Sequence, residues 1–382
     1  LREVDARGRT LDEKISSEPK VGNNLYTSLD LKSHQAAHKA FNNRKGAVVA
    51  IDIKDGSIVT LFSSPTFPTN QLANGILQKD FDELLLSEEK PFFNRALKGR
   101  YPPASSIKPA IAMYGIEEGL IDWDFSIFDE GFFTLPEDGR IYRDWKEGGH
   151  GDTNLFKAIT QSSNTYFFDL AYRSDINQLN KHLSSLGFGD KACIDCFEED
   201  QVFVPEPSWK MNKHNFGWFK GDTVNMGVGQ GYLVSTPIQL AKYAYIMANK
   251  GKFSDLSLKK DLVKSEKSIE FNKFSNDDWF KLHESMVNVI EGNTGTARRL
   301  RERKNYIVAA KTGTAELVSG DNREQYSETR LDDSLRDHAL IIAFGPMPNP
   351  RYAVSVVVEN GESGGSVAGP VAISVLNSLI QE

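Results

Sequence analysis

The stretch "YPPASSIKPAIAMYGI" (residues 101–116) sets two prolines and two serines directly ahead of a lysine and an apolar run. The prolines stop any preceding helix. Ile107, Ala110, Ile111, Met113, Tyr114 and Ile116 then recur at helical spacing. That stripe predicts a helix over about 105–118, buried on most sides and closed by Gly119. Pro109 falls in its first turn or so, where a missing N–H costs little. Ser105 and Lys108 share one face at the helix start. A hydroxyl there meets free backbone N–H groups and the positive end of the helix dipole, which favour a developing negative charge. A partly buried lysine beside it has a lowered pKa and can take the hydroxyl proton. Alone the pattern is weak, because Ser-x-x-Lys is common by chance. A second copy, Ser257-Leu258-Lys259-Lys260, lies in a polar stretch with no apolar helix behind it and is discounted.

Working outward, "GAVVAIDIKDGSIVTLFSS" (46–64) reads as a hairpin turning at Asp55-Gly56. Three strand candidates follow near the carboxyl end, at 306–317, 338–346 and 351–361, the last two forming a hairpin over "MPNP". Helices are predicted at 25–42, entered from an extended segment, and at 153–173, 176–186, 237–251, 277–291 and 367–380. Residues 252–275 read as exposed. Strands at both ends with helices between predict an α+β fold: an antiparallel sheet closed by the first and last segments, beside a helical subdomain. The charged insert 317–337 is far longer than a hairpin needs and is predicted to be a mobile flap.

The 382 residues are ample for a buried core, and 40% hydrophobic with 25% charged is ordinary for a soluble globular chain. A net charge of −7 argues against nucleic acid as a partner. No apolar run approaches the ~18 residues that span a bilayer, and "LREVDARGRTLDEK" is polar throughout. Because the chain starts without Met, it reads as a fragment. Cys193 and Cys196 do not make a disulfide framework. They read as a local bridge or two incidental thiols.

Two more motifs gain meaning from the first. Ser162-Ser163-Asn164 alone would be a polar junction before the buried "TYFF". Lys311-Thr312-Gly313-Thr314 places a glycine inside a strand, where something approaches the backbone closely. A similar triplet, Thr294-Gly295-Thr296, lacks the lysine and reads as loop. Ser-x-x-Lys on a helix, then Ser-x-Asn, then Lys-Thr-Gly on a strand is the ordered triple of penicillin-binding proteins and class A β-lactamases.

The wording of the chain goes further. "GAVVAIDIKDGSIVTLFSSPTF", "FNRALKGRYPPASSIKP", "FDEGFFTLPEDGRIYRDWKEGGHG", "NMGVGQGYLVSTPIQLAKYAYIMAN" and "RDHALIIAFGPMPNPRYAVSVVVENG" resemble the penicillin-binding protein 2 family, the class B D,D-transpeptidases of bacterial cell elongation. The likeness covers residues 25–382 as the transpeptidase domain, with 1–24 resembling the end of the family's pedestal. It implies peptidoglycan stem peptides ending in D-Ala-D-Ala as substrate and β-lactams as acylating inhibitors. It implies Ser105 as nucleophile, Lys108 as base, Ser162 as proton donor to the leaving amine, and Asn164 as a group that holds a substrate amide and helps position Lys108. Lys311, Thr312, Gly313 and Thr314 would hold the substrate carboxylate, with the Lys311 charge helping to keep Lys108 neutral. Implied partners are a SEDS-type glycosyltransferase and elongation-complex proteins; the implied location is the periplasmic face of the inner membrane. No cofactor is required. Some relatives bind zinc through two aspartates, a histidine and a cysteine; here Asp129, Asp144 and His150 match, but Ser163 stands at the cysteine position.

Two departures stand out. Ala104 replaces the family's usual glycine before the nucleophile, and "ACIDC" (192–196) replaces Thr-Gly-Ile-Asp-Leu. The division-type transpeptidase, a D,D-carboxypeptidase, and a non-catalytic penicillin-recognising sensor share the motifs and remain as alternatives. A class A β-lactamase is disfavoured, because no Glu-x-x-Leu-Asn follows the Ser-x-Asn motif.

Overall fold

The computed structural model describes residues 2–14, 20–317 and 335–380, so most of the predicted flap at 317–337 lies outside the described residues. Two short strands, Arg2–Val4 and Thr10–Glu13, pair as an exposed hairpin. The body of the fold begins at Thr27 and Ser28. Ser28 is tied to Leu258 O and Ile58 O by its N–H and hydroxyl, at 2.8 and 2.7 Å.

Five strands build the central sheet: β1 (Gly46–Asp52), β2 (Ser57–Ser64), β3 (Ala309–Ala315), β4 (His338–Gly345) and β5 (Tyr352–Val358). They run antiparallel in the order β3-β4-β5-β1-β2. The late strand β5 pairs with the early strand β1, so the chain ends do close one sheet, in the α+β arrangement read above. β1 divides its side chains by alternation: Ala47, Val49 and Ile51 enter one core, Val48 and Ala50 the other. Both faces are therefore covered, which is why "GAVVAID" reads as an unbroken apolar run.

Seven helices matter to the site: α1 (Leu31–Phe41), α2 (Lys108–Glu117), α3 (Leu155–Gln161), α4 (Asn164–Arg173), α5 (Pro237–Ala248), α6 (Asn276–Glu291) and α7 (Gly369–Ile380). α1 and α7 pack together across one face of the sheet. α5 lies on the other face, buried along its whole length, with α2, α3 and α4 beyond it. α6 packs against β3.

Several boundaries differ from expectation, each for a local reason. α1 starts at Leu31 and not at 25, because the Asp30 carboxylate accepts from Ser33 N at 2.6 Å and caps it there. The predicted helix 153–173 is two helices. Ser162 closes α3 in the left-handed conformation at φ 62°, and the Ser163 hydroxyl caps α4 by accepting from Tyr166 N at 3.1 Å. The 252–275 segment is not wholly exposed. Ser254, Leu256 and Ser257 are buried, and Leu256 and Ser257 bridge to Cys193 and Ser57.

Candidate active site

The opening stretch does not enter α2 directly. Ala104–Ile107 form a 3-10 turn, and α-helix begins only at Lys108. A 3-10 turn has three residues per turn, so residues i and i+3 eclipse. Half-buried Ser105 and fully buried Lys108 thus point from the same edge of the turn. Ala104 holds the turn with a left-handed φ of 49°. Its N–H donates to Gly229 O at 2.8 Å, and the Gly229 backbone lies so near that a Cβ there would fall 2.2 Å from Ala104 O. The Ala104 methyl is fully buried in the core, so it does not narrow the approach to Ser105.

The break between α3 and α4 serves Lys108. Turning the chain at Ser162 leaves two carbonyls outside any helix. Lys108 Nζ donates to Ser162 O (2.8 Å), Ser163 O (3.0 Å) and Asn164 Oδ1 (2.7 Å), with Ser162 Oγ at 3.4 Å. The amine also sits 5.4 Å from the centre of the Phe167 ring. Burial lowers its pKa to about 7, against the upward pull of Asp144 and Asp129.

β3 supplies the opposite wall. Lys311 is fully buried, and its Nζ donates to Ser162 Oγ at 2.7 Å and to Thr312 O at 3.2 Å. Burial, then the charge of Lys108, push the Lys311 pKa well down. Burial, not the Lys311 charge, is thus the main cause of Lys108's lowered pKa. Ser162 Oγ stands between the two amines. Gly313 shows what approaches its backbone: an added Cβ would lie 3.2 Å from Pro103 O and 3.4 Å from Ser106 N, the turn that carries Ser105. β3 is an edge of the sheet. Thr314 O accepts from Gln230 Nε2 at 3.2 Å, on the side away from β4. In an antiparallel strand a residue's N–H and C=O point the same way, so the Thr314 N–H also faces the cleft.

Ser105, Lys108, Ser162, Asn164, Lys311, Thr312, Gly313 and Thr314 are thereby gathered at one place. Asp129, Asp144 and His150 lie directly behind the Ser162–Asn164 turn, with ligand-type atoms within 4.8 Å of one another. Burial would raise the Asp144 pKa, but the His150 bond, the Lys108 charge and the N–H groups of Thr165 and Lys146 outweigh it and hold it well below the usual carboxylate range. Three residues at the site escaped sequence reading. Trp145, 59% exposed, donates its Nε1–H to Ser162 O at 3.2 Å. Thr296, in the triplet read as plain loop, shares a 2.7 Å hydrogen bond with the Thr312 hydroxyl. Gln230 caps the end of β3. Only the repeated Thr-Gly-Thr carried a signal, and nothing in the sequence tied it to the strand. Ser257, the discounted serine, turns its hydroxyl to Lys259 O at 3.1 Å. Cys193 and Cys196 form a disulfide.

Comparison with known proteins follows the same lines. The family model for the penicillin binding protein transpeptidase domain matches residues 46–377. The peptidoglycan D,D-transpeptidase MrdA of Acinetobacter baumannii is 39% identical over 375 residues, 96% of this chain and 55% of that protein. The crystal structure of Pseudomonas aeruginosa PBP2 in complex with WCK 5153 superposes with a TM-score of 0.85 at 35% identity, over 94% of this chain and 79% of that one. Helicobacter pylori PBP2 in its complex with MreC gives a TM-score of 0.85 at 30% identity, over 100% of this chain and 68% of that one. The chain spans 55–60% of the length of the first curated relatives it matches. With the family model covering the sheet, both lysines and all three motifs, this chain belongs to the penicillin-binding protein transpeptidase family.

Proposed function

We propose that this chain is the catalytic domain of a serine D,D-transpeptidase that cross-links peptidoglycan stem peptides during cell elongation and is acylated by β-lactams. The observation that carries the reading is the Lys108–Ser162–Lys311 line of hydrogen bonds set beside Ser105 on its tight turn.

In this reading Ser105 Oγ attacks the carbonyl between the two terminal D-alanines as neutral Lys108 takes its proton. The oxyanion meets the N–H groups of Ser105 and Thr314, each worth roughly 3 kcal/mol in comparable acyl-transfer sites. Ser162 relays a proton to the departing D-Ala amine, which breaks the C–N bond and leaves an ester on Ser105. Asn164 positions a substrate amide, and Lys311, Thr312 and Thr314 hold the terminal carboxylate. An amine of a neighbouring strand then attacks the ester, forming the new amide and returning the hydrogen to Ser105. The Cys193–Cys196 bridge suits an oxidising compartment, in keeping with work in the periplasm at the inner membrane. Among the described residues no helix is long and apolar enough to cross a membrane. The H. pylori relative's complex with MreC supports elongation-complex proteins as partners, and the sequence resemblance adds a SEDS-type glycosyltransferase to them.

Intact-mass measurement after exposure to benzylpenicillin tests the proposal. One stable adduct per chain is expected, absent from Ser105→Ala and retained in Ser257→Ala. Rapid steady-state penicillin hydrolysis would mark a lactamase and overturn it. With a D-Ala-D-Ala peptide and an acceptor amine, amide exchange should exceed hydrolysis; hydrolysis alone would mark a carboxypeptidase.

A further inference from the structure

We propose that the Asp129–Asp144–His150 cluster of this chain is a metal-free brace, in which the Ser163 hydroxyl and the start of α4 take the place that an ion holds in thiolate-bearing relatives. The residue types at first fit a zinc site: two carboxylates and an imidazole, close together and largely buried. The fourth donor does not. A serine hydroxyl stays protonated near neutral pH and offers zinc no anionic ligand, whereas a cysteine thiolate does.

The hydrogen bonds show where the donors are used instead. Ser163 Oγ donates to Asp129 Oδ2 at 2.7 Å, so a proton lies where an ion bridging the two would have to sit. The same oxygen accepts from Tyr166 N. Asp129 Oδ1 accepts from Gly131 N at 2.8 Å. Asp144 Oδ2 accepts from Asn164 N (2.6 Å), Thr165 N (3.0 Å) and Thr165 Oγ1 (3.3 Å), and Oδ1 from Lys146 N (3.1 Å). That carboxylate sits on the free N–H groups of a ten-residue helix, where the dipole compensates its charge. A carboxylate accepts only, so His150 Nε2 donates to Asp144 Oδ1 across 3.3 Å, and His150 Nδ1 faces Gln161 Oε1 at 3.0 Å. Each ligand-type atom of the cluster already has a protein partner. The result is a set of clamps on the turn whose carbonyls hold Lys108, made without an ion.

The brace holds the turn that carries Lys108 but makes no bond in the acylation itself, so its test is read on metal content and melting. Protein purified without chelator should carry zinc well below one equivalent. Its Tm should be unchanged by EDTA and by added zinc. Ser163→Cys supplies the missing thiolate and should gain about one equivalent of zinc, with a Tm that EDTA now lowers. Ser163→Ala should lower Tm by about 4 °C with no change in metal content, through the lost cap and the Asp129 bond. About one equivalent of zinc in the parent, removed by EDTA with a fall in Tm and absent from His150→Ala, would overturn the proposal. So would a folded Ser163→Cys variant that takes up none. Should that variant fail to fold, zinc titration of the parent by calorimetry decides: no binding supports the brace, stoichiometric binding ends it. Benzylpenicillin adduct formation in the same samples reports separately on Ser105.

Discussion

Lys108 faces three carbonyl oxygens within 3.0 Å, which is the demand of an ammonium with three N–H donors. A neutral amine has two N–H groups and a lone pair, so it must release one of these contacts to face Ser105. With its pKa lowered to about 7, the base form predominates above that pH and is lost as pH falls. The acylation rate should therefore drop about tenfold per pH unit below about 7. A rate that stays flat to pH 5 would remove Lys108 from the role of base. Lys108→Ala should also slow acylation far more than Lys311→Ala, since lost activation outweighs lost positioning; pre-steady-state rates give the ranking. At Ala104 three effects oppose one another. Ala104→Gly relieves a left-handed backbone worth about 1–2 kcal/mol. It also forfeits a buried methyl, about 0.8 kcal/mol, and frees the unfolded chain by about 0.4–1 kcal/mol. The sum should leave stability within about 1 kcal/mol of the parent, whereas a β-branched Ala104→Val should cost several-fold more. Thermal melts of the two variants check the contrast.

At the scale of elements, the site depends on where chain segments break and how closely they touch. β3 meets the turn that carries Ser105 through Gly313, whose added Cβ would press on Leu340 Cβ as well as on the backbone of Pro103 and Ser106. Backbone cannot swing aside as a side chain does. Gly313→Ala should thus move the turn and cut acylation by more than about tenfold, if a shift of a few tenths of an ångström disturbs attack geometry as it does elsewhere. Unchanged acylation kinetics would show that the turn is not held by this contact. A second tie fixes the approach to the turn. Arg95 Nε and Tyr101 OH both donate to Glu359 Oε1, at 2.9 and 2.7 Å, joining the segment before Ser105 to the end of β5. Arg95 is buried and Glu359 is 19% exposed on its side chain, so Glu359→Ala leaves a guanidinium without its counter-charge. A loss of about 3 kcal/mol is expected in denaturant unfolding.

For the whole molecule, the sheet separates two cores and neither stands without it. The amino-terminal hairpin takes no part in either. The body starts where Ser28 bonds to both Ile58 and Leu258. A chain beginning at residue 25 should therefore melt within about 2 °C of the full chain, because surface changes away from core contacts are usually worth under ~0.5 kcal/mol. A larger fall would mean that the hairpin buttresses the body.

Much of this was legible in residue order. Apolar runs in β1, β4 and β5, and the all-round apolar faces of α2 and α5 settled the α+β architecture, because burial on both faces of a sheet leaves a pattern along the chain. The three motifs also named their residues, since serine, lysine, asparagine and glycine each bring one chemical property to that spacing. Elsewhere the information was not local. Nothing in "QSSNTYFF" shows that Ser162 adopts a left-handed turn, yet that turn presents the carbonyls that hold Lys108. No spacing rule brings Thr296 to Thr312, Gln230 to Thr314 or Trp145 to Ser162, because those approaches depend on how loops fold in space against β3 and the Ser162 turn. The sequence by itself determined which groups this protein owns and which faces it buries. The tertiary structure alone decided their distances and so their protonation, because desolvation and hydrogen bonding act on what surrounds a group in space, not on what precedes it in the chain.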